Sequence, residues 1–240
     1  MAGKSTSAKS GRLGTQFRGK LATAYGQRGT FDCGLWYVYS PRTNSDWVLK
    51  GDLEWDHFIL AESDPRIQAI NYAPSPIRVE LDDGTVYQTT FDATVTYTDG
   101  SLEWREVKFA DEFDSVEQVR NERQREAQEK AARNAGVTYM RWSENEIRSN
   151  MQRLANWRRI IPWLAAARGR SLVNQQIDLT AYFSHRHSAT LGEIEAQWGE
   201  PAFPLYAAAL FRGMQQGHYL SDLDAKPLST LTHVKSVQEE

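Results

Sequence analysis

The sequence has too few cysteines to cross-link itself. Cys33 stands alone among 240 residues, so a disulfide within the chain is impossible. Cys33 is expected to be a packing residue, in a reducing, intracellular setting. No apolar run approaches the ~20 residues that a membrane-spanning helix needs, so no membrane partner is expected. The basic N-terminal stretch lacks the apolar centre of a signal peptide. Neither sign of charge dominates: 28 Lys and Arg stand against 31 Asp and Glu, a formal net charge of -3. A global basic signature for nucleic acid is therefore missing, and only the distribution of charge can carry one. There is no Gly-rich phosphate loop, no G-x-S-x-G nucleophile turn and no internal repeat. His185 and His187 have no cysteine or third histidine near them in sequence, which sets a zinc reading aside.

What remains is an ordinary globular composition, 40% hydrophobic and 25% charged. Residues 1–16 are rich in Ser, Gly, Ala and Lys and read as a disordered basic arm. The first twenty residues carry Lys4, Lys9, Arg12, Arg18 and Lys20 and no acid. An α/β core is expected over 17–168 and a smaller unit over 171–240. The core begins with a hairpin or a strand and loop through Trp36–Leu49. A helix follows over about 51–62, with Trp55, Phe58 and Ile59 on its buried stripe and Glu54 in its first turn. After a short strand over 67–72, three strands are predicted at 77–81, 86–98 and 102–109. Asp83-Gly84 and Asp99-Gly100 are strong hairpin signals between them, giving an antiparallel meander.

A charged helix is predicted from about Ser115 to Asn134, closed by Gly136 in the left-handed position after the helix. It carries Arg120, Arg123, Arg125, Lys130 and Arg133, with Gln124 and Gln128 among them. Some of these could meet DNA phosphates. A solvated face laced with Glu122, Glu126 and Glu129 accounts for the pattern at least as well. A strand over 137–142 comes next. Ser143-Glu144-Asn145-Glu146 then reads as a capping box opening another helix, and Pro162 is expected to interrupt the helical region behind it. Beyond 171, small helices at about 190–198 and 201–216 precede a short hairpin, a winged-helix-like order. The eight tryptophans are expected to fill core.

The stretch Leu102–Phe109 organises these elements. Residues two apart on a strand share a face, so Glu106 and Lys108 point the same way. An isolated E-x-K is most simply a solvent-facing salt pair. Upstream residues change that: Asp92 on the preceding strand and Glu54 on an earlier helix can join Glu106 and Lys108. Carboxylates with a backbone carbonyl, such as that of Val107, suit Mg²⁺ or Mn²⁺, and phosphodiester hydrolysis needs an activated water and relief of charge on the phosphate. In this arrangement Asp92 and Glu106 are the main ligands and Glu54 completes a second metal position. Lys108 acts on the water or the phosphate.

At these residues the chain resembles the PD-(D/E)xK nuclease superfamily, and more narrowly the TnsA-type endonuclease subunits of heteromeric transposases. The narrower likeness lies in Leu53-Glu54-Trp55-Asp56-His57-Phe58, Asp64-Pro65-Arg66-Ile67, Tyr72-Ala73-Pro74, Phe91-Asp92-Ala93 and Arg105-Glu106-Val107-Lys108. It covers roughly residues 30–150. Thr90-Phe91-Asp92 stands where the family has T-P-D, and Ala73-Pro74 where it has Q-P. The resemblance implies a restriction-endonuclease-like core of helix, three-strand meander, helix and strand, with a C-terminal winged-helix-like domain. It also implies a Mg²⁺-dependent endonuclease, prokaryotic and cytoplasmic, that cuts the non-transferred 5′ strand at transposon ends. Its partners would be an integrase-type transposase and an AAA+ transposition regulator. A stand-alone nuclease of the same superfamily and a non-catalytic DNA-binding scaffold are the competing expectations.

Overall fold

The structure, a computed structural model, describes residues 34–110 and 118–237. Cys33 and the basic arm lie outside the described residues, as does the Arg120 side chain. Strands β1 (Leu35–Ser40) and β2 (Ser45–Lys50) form an antiparallel hairpin. Gly51 then adopts φ +89°, a left-handed turn that suits glycine, and α1 (Asp52–Ser63) starts at once. Leu53, Phe58 and Ile59 of α1 are buried, and the half-buried Trp55 stacks on Phe58.

The central sheet has four strands in the order β3–β6–β7–β8: Ile67–Asn71, Ala93–Tyr97, Leu102–Val107 and Thr138–Trp142. The first three are antiparallel, and β8 runs parallel to β7. A second hairpin, β4 (Ile77–Glu80) with β5 (Val86–Thr89), forms a separate two-stranded sheet. This corrects the expected meander. The run 86–98 is two strands, broken at Thr90–Asp92, and the three-strand meander is β3–β6–β7 with the β4–β5 hairpin inserted. The break has a packing cause. Phe91 turns into an apolar cluster with Val79, Leu81, Ala127 and Ala131, and Asp92 donates its backbone N–H to the Arg105 carbonyl at 2.9 Å.

Side chains alternate along β7, as a strand requires. Glu103, Arg105 and Val107 face α1, where Arg105 meets His57 and Val107 packs with Leu53. Trp104 and Glu106 face α2 (Gln118–Ala135), which covers the opposite side. Gly136 closes α2 at φ +67°. Ser143 and Glu146 form the expected capping box, but α3 (Glu144–Ile147) is a single turn. The chain restarts at Asn150, whose side chain accepts from Arg153 N, and α4 runs Met151–Ala166 straight through Pro162. The proline does not end this helix. Burial of Trp157, Ile160, Ile161 and Leu164 on both sides of it holds the helix in place.

After α5 (Val173–Ser184) and β9 (Ser188–Thr190), Thr190 caps α6 (Leu191–Trp198) through a box with Glu193. Helix α7 (Phe203–Gln215) leads to β10 (Tyr219–Ser221) and β11 (His233–Ser236), and the three short strands pair in the order β10–β11–β9. These elements do not stand apart from the core. One hydrophobic cluster runs from Val38, Phe58 and Val95 through Leu154 and Ile160 to Leu210, Phe211 and Val234. A polar clasp lies beside it. The Glu62 carboxylate accepts from Ser40 Oγ at 2.6 Å, Tyr72 OH at 3.1 Å and Gln215 Nε2 at 2.9 Å. The Arg42 guanidinium donates to the carbonyls of Ile67, Glu62 and Asp64. No helix among the described residues is long and apolar enough to cross a membrane.

Among the glycines of the C-terminal part, Gly213 lies closest to another element. A Cβ built there would come 2.5 Å from the Tyr219 ring, which is itself packed on Phe183 with centroids 5.1 Å apart. Gly213→Ala should therefore destabilise the fold by about 1–3 kcal/mol, despite the better helix propensity of alanine. For a chain of this size that is a fall of several degrees in Tm, about 2–4 °C per kcal/mol. An unchanged or higher Tm in thermal denaturation would show that Tyr219 can move aside.

Candidate functional site

Three elements deliver the four predicted residues to one end of the central sheet. Asp92 precedes β6, Glu106 is the penultimate residue of β7, Lys108 follows that strand, and Glu54 sits in the first turn of α1. The Asp92 carboxylate accepts the backbone N–H of Val107 through Oδ2 at 2.7 Å. Asp92 is thus pinned to β7 twice, by its own N–H and by its side chain. In an extended strand the N–H and C=O of one residue point to the same flank. The Val107 carbonyl therefore faces the side from which Asp92 approaches.

Glu106 is almost completely buried, and three donors hold its carboxylate. Lys108 Nζ is 3.0 Å from Oε1, Gln124 Nε2 is 3.2 Å from Oε1, and Gln128 Nε2 is 2.6 Å from Oε2. Lys108 is half-buried, so the E-x-K pair is not the open surface salt pair that the pattern alone suggests most simply. Glu54 accepts the Lys50 backbone N–H at 2.8 Å through Oε2. Its ordinary helix-terminal role does not describe its environment, because the charge on Glu106 acts on it.

The electrostatics follow from this crowding. Desolvation first, then the charges of Glu106 and Glu54, hold the Asp92 carboxyl well above the usual range; the Val107 N–H and Lys108 only partly offset them. Glu54 is pushed up to about 7, chiefly by desolvation, against the N–H and charge of Lys50 and with a further push from Glu106. Asp92 and Glu54 each feel the charge of a neighbouring carboxylate. A cation at this place would relieve that strain, and the donor set is all oxygen, the kind that Mg²⁺ and Ca²⁺ prefer.

Among the described residues, no three His, Cys, Asp or Glu side chains stand in the geometry of a ready-made metal cage. Mg²⁺ does not require one. It commonly uses one or two carboxylates, keeps several waters and takes further oxygens from a phosphate. Asp92 and Glu106 with the Val107 carbonyl fit that habit. Glu54 acts on Asp92 and is acted on by Glu106, and it is a candidate for a second position.

Two features escaped the sequence reading. The first is Gln124 and Gln128, one helical turn apart on α2, which the sequence left between a DNA-facing and a solvated helix face and which reach Glu106. Their i, i+4 spacing on the helix after an E-x-K strand is the signal that could have found them. The basic side chains on the same helix do largely as the solvated reading expects: Lys130 pairs with Asp82 at 2.6 Å, and Arg125 with Glu129 at 3.7 Å. The second is a buried polar network behind the site. Arg105 lies between Glu103 at 2.5 Å, Tyr97 OH at 2.7 Å and His57 Nε2 at 3.0 Å, over the Trp142 ring. Desolvation and the Arg105 charge hold the His57 pKa well below the usual value, so its ring is neutral and accepts from Arg105.

The raised carboxyl groups make stability depend on pH. Between about pH 4.5 and 7 the folded protein holds a proton on Glu54 that the unfolded chain releases, so stability without metal falls as pH rises through this window. Glu54→Gln should flatten that fall. Asp92→Asn keeps an acceptor for the Val107 N–H and should raise Tm at pH 8 but not at pH 4. Thermal denaturation across pH, in chelator, checks both. A lower Tm for Asp92→Asn at pH 8 would show that the carboxylate is not under strain.

No model of a known protein family matches the chain, and no curated protein matches it, so a functional reading stands on the arrangement of these residues.

Proposed function

We propose that this chain is a metal-dependent DNA endonuclease of the PD-(D/E)xK kind. The observation that carries the proposal is the convergence of Glu54, Asp92, Glu106 and Lys108 at one end of the sheet, each from a different position in the chain, with the carboxylates acting on one another. A purely structural role would not need Asp92 and Glu54 held in strained proximity to the buried Glu106.

Bound Mg²⁺, for which Mn²⁺ can stand in, supplies activation of the attacking water and neutralises charge on the phosphate. Asp92, Glu106 and the Val107 carbonyl would hold it, and Glu54 would serve a second position. Lys108 carries its ammonium at the mouth of the site, 3.0 Å from Glu106 and half-exposed. There it can orient the water and stabilise negative charge that develops on the phosphate. The two contacts from Asp92 to β7 keep the ligands from drifting apart, and the buried network around Arg105 holds β7 from behind.

The narrower reading is a TnsA-like subunit that cuts the 5′ strand at transposon ends beside an integrase-type transposase, with an AAA+ regulator in the same complex. The order of α5, β9, α6, α7, β10 and β11 and their strand pairing support a winged-helix-like C-terminal part. In such a module α7 would be the helix presented to a DNA groove. Here Phe203, Tyr206–Phe211 and Gly213–Gln215 are all buried, so little of α7 is free to read bases. That favours protein docking over sequence reading for this part, and target choice supplied by the transposase. A stand-alone nuclease would lack that requirement.

The test uses end-labelled transposon-end DNA with Mg²⁺, the chain alone, the transposase alone, and both. We expect efficient 5′-strand nicking only with both. Asp92→Ala and Glu106→Ala should abolish it, while Lys108→Ala should lose about 10²–10³ in rate, the usual scale for one charge-stabilising group, with Mn²⁺ affinity little changed. Site-specific cutting by the chain alone would favour the stand-alone enzyme. Cleavage retained by Asp92→Ala would remove the site assignment.

A further inference from the structure

Resting on the nuclease reading, we propose that Gln128 is a positioning residue that sets the Glu106 carboxylate relative to Asp92 and leaves Glu106 Oε1 as the metal-facing oxygen. Gln128 is buried, and each polar atom of its amide is engaged. Its nitrogen donates to Glu106 Oε2 at 2.6 Å and to the Thr90 carbonyl at 3.1 Å, and its oxygen accepts the Tyr139 hydroxyl at 2.8 Å. The orientation of the amide follows from its neighbours. A carboxylate and a backbone carbonyl can only accept, so the NH₂ must face them, and the oxygen is left for Tyr139 to donate to. Turning the amide over would set its oxygen against two acceptors.

These partners lie in three different places. Glu106 is on β7, Tyr139 on β8, and Thr90 is two residues before Asp92, in the break between β5 and β6. One nitrogen therefore links the carboxylate of one proposed ligand to the backbone that carries the other. The spacing of the two ligands is fixed from the α2 side by Gln128, just as the Val107 N–H fixes Asp92 from the strand. The two oxygens of Glu106 also become unequal. Oε2 is held by a short bond to a buried amide. Oε1 is held by Gln124 at 3.2 Å and by the half-exposed Lys108 at 3.0 Å, whose flexible stem can swing away. Oε1 is the oxygen that can be released to a ligand.

The experiment measures Mn²⁺ affinity by calorimetry and by metal-induced rise in Tm on the full chain, for wild type, Gln128→Met, Tyr139→Phe, the double variant and Asp92→Asn. Gln128→Met keeps the volume and removes the amide. We expect it to weaken Mn²⁺ binding about 10–100-fold, the usual effect of removing a group that orients a metal ligand, with 5′-strand nicking in the presence of the transposase largely recovered at saturating Mn²⁺. Tyr139→Phe should weaken binding in the same direction by less. Because Tyr139 acts through Gln128, the double variant should lose no more than Gln128→Met alone. A merely structural glutamine predicts a lower Tm for the metal-free protein with unchanged Mn²⁺ affinity, and that result would overturn the inference. If Gln128→Met does not fold, Tyr139→Phe decides alone, and unchanged affinity there overturns it. Wild type that binds no more Mn²⁺ than Asp92→Asn would instead bring down the nuclease reading and this inference with it.

Discussion

Three carboxylates sharing a water-poor pocket repel one another, and the fold around Glu54, Asp92 and Glu106 consists largely of devices that keep them there. Glu54 is tied by the Lys50 N–H, Asp92 by the Val107 N–H, and Glu106 by Lys108 and the two glutamines. These donors compensate the charges only in part, because the Asp92 and Glu54 carboxyl groups still stand above their ordinary range. The rest of the sheet must then resist splaying. The Arg105 network does this from the α1 side by joining β7 to His57 of α1, Tyr97 of β6 and Trp142 of β8. Breaking one partner of such a buried ion pair costs far more than the intact pair contributes, so the network enforces one arrangement more than it adds stability.

Much of the site was legible because its signals are local. Strand alternation put Glu106 and Lys108 together, Asp99-Gly100 fixed the turn that brings β6 alongside β7, and the left-handed Gly136 marked the end of the helix that covers Glu106. The capping box expected at Ser143 forms, since it needs only residues three apart. What could not be read depends on distant neighbours. Residues 86–98 alternate well enough for one strand, and only the pocket lined by Val79 and Ala127 explains why Phe91 leaves the line. Pro162 is a helix breaker by its own chemistry, yet burial along α4 overrides it. Gln128 looks like one more polar residue on a charged helix until Thr90, Glu106 and Tyr139 arrive around it.

The break at Thr90–Asp92 also shows how one irregularity can serve two ends. It releases Phe91 into the cluster beneath α2, and it frees the Asp92 side chain from the pleat of the sheet so that its carboxylate can turn to the Val107 N–H. A regular strand would alternate these residues up and down and could not place both. Departure from the ideal ladder is what turns the Asp92 carboxylate out of the pleat.

The clasp at Glu62 bears on how this protein could have been assembled from parts. Its acceptor sits at the end of α1, its donors come from β1, from Tyr72 and from Gln215 at the far end of α7, and the Gln215 amide also reaches the Glu62 backbone carbonyl at 2.9 Å. Directional bonds of this kind fix an angle as well as a contact. The C-terminal helices are therefore not a cassette that could be exchanged for another by splicing at Gly169. A graft would have to bring an amide to the same point or leave a buried carboxylate short of a donor, and any successful shuffling of this tail must have carried the Glu62 pocket along with it.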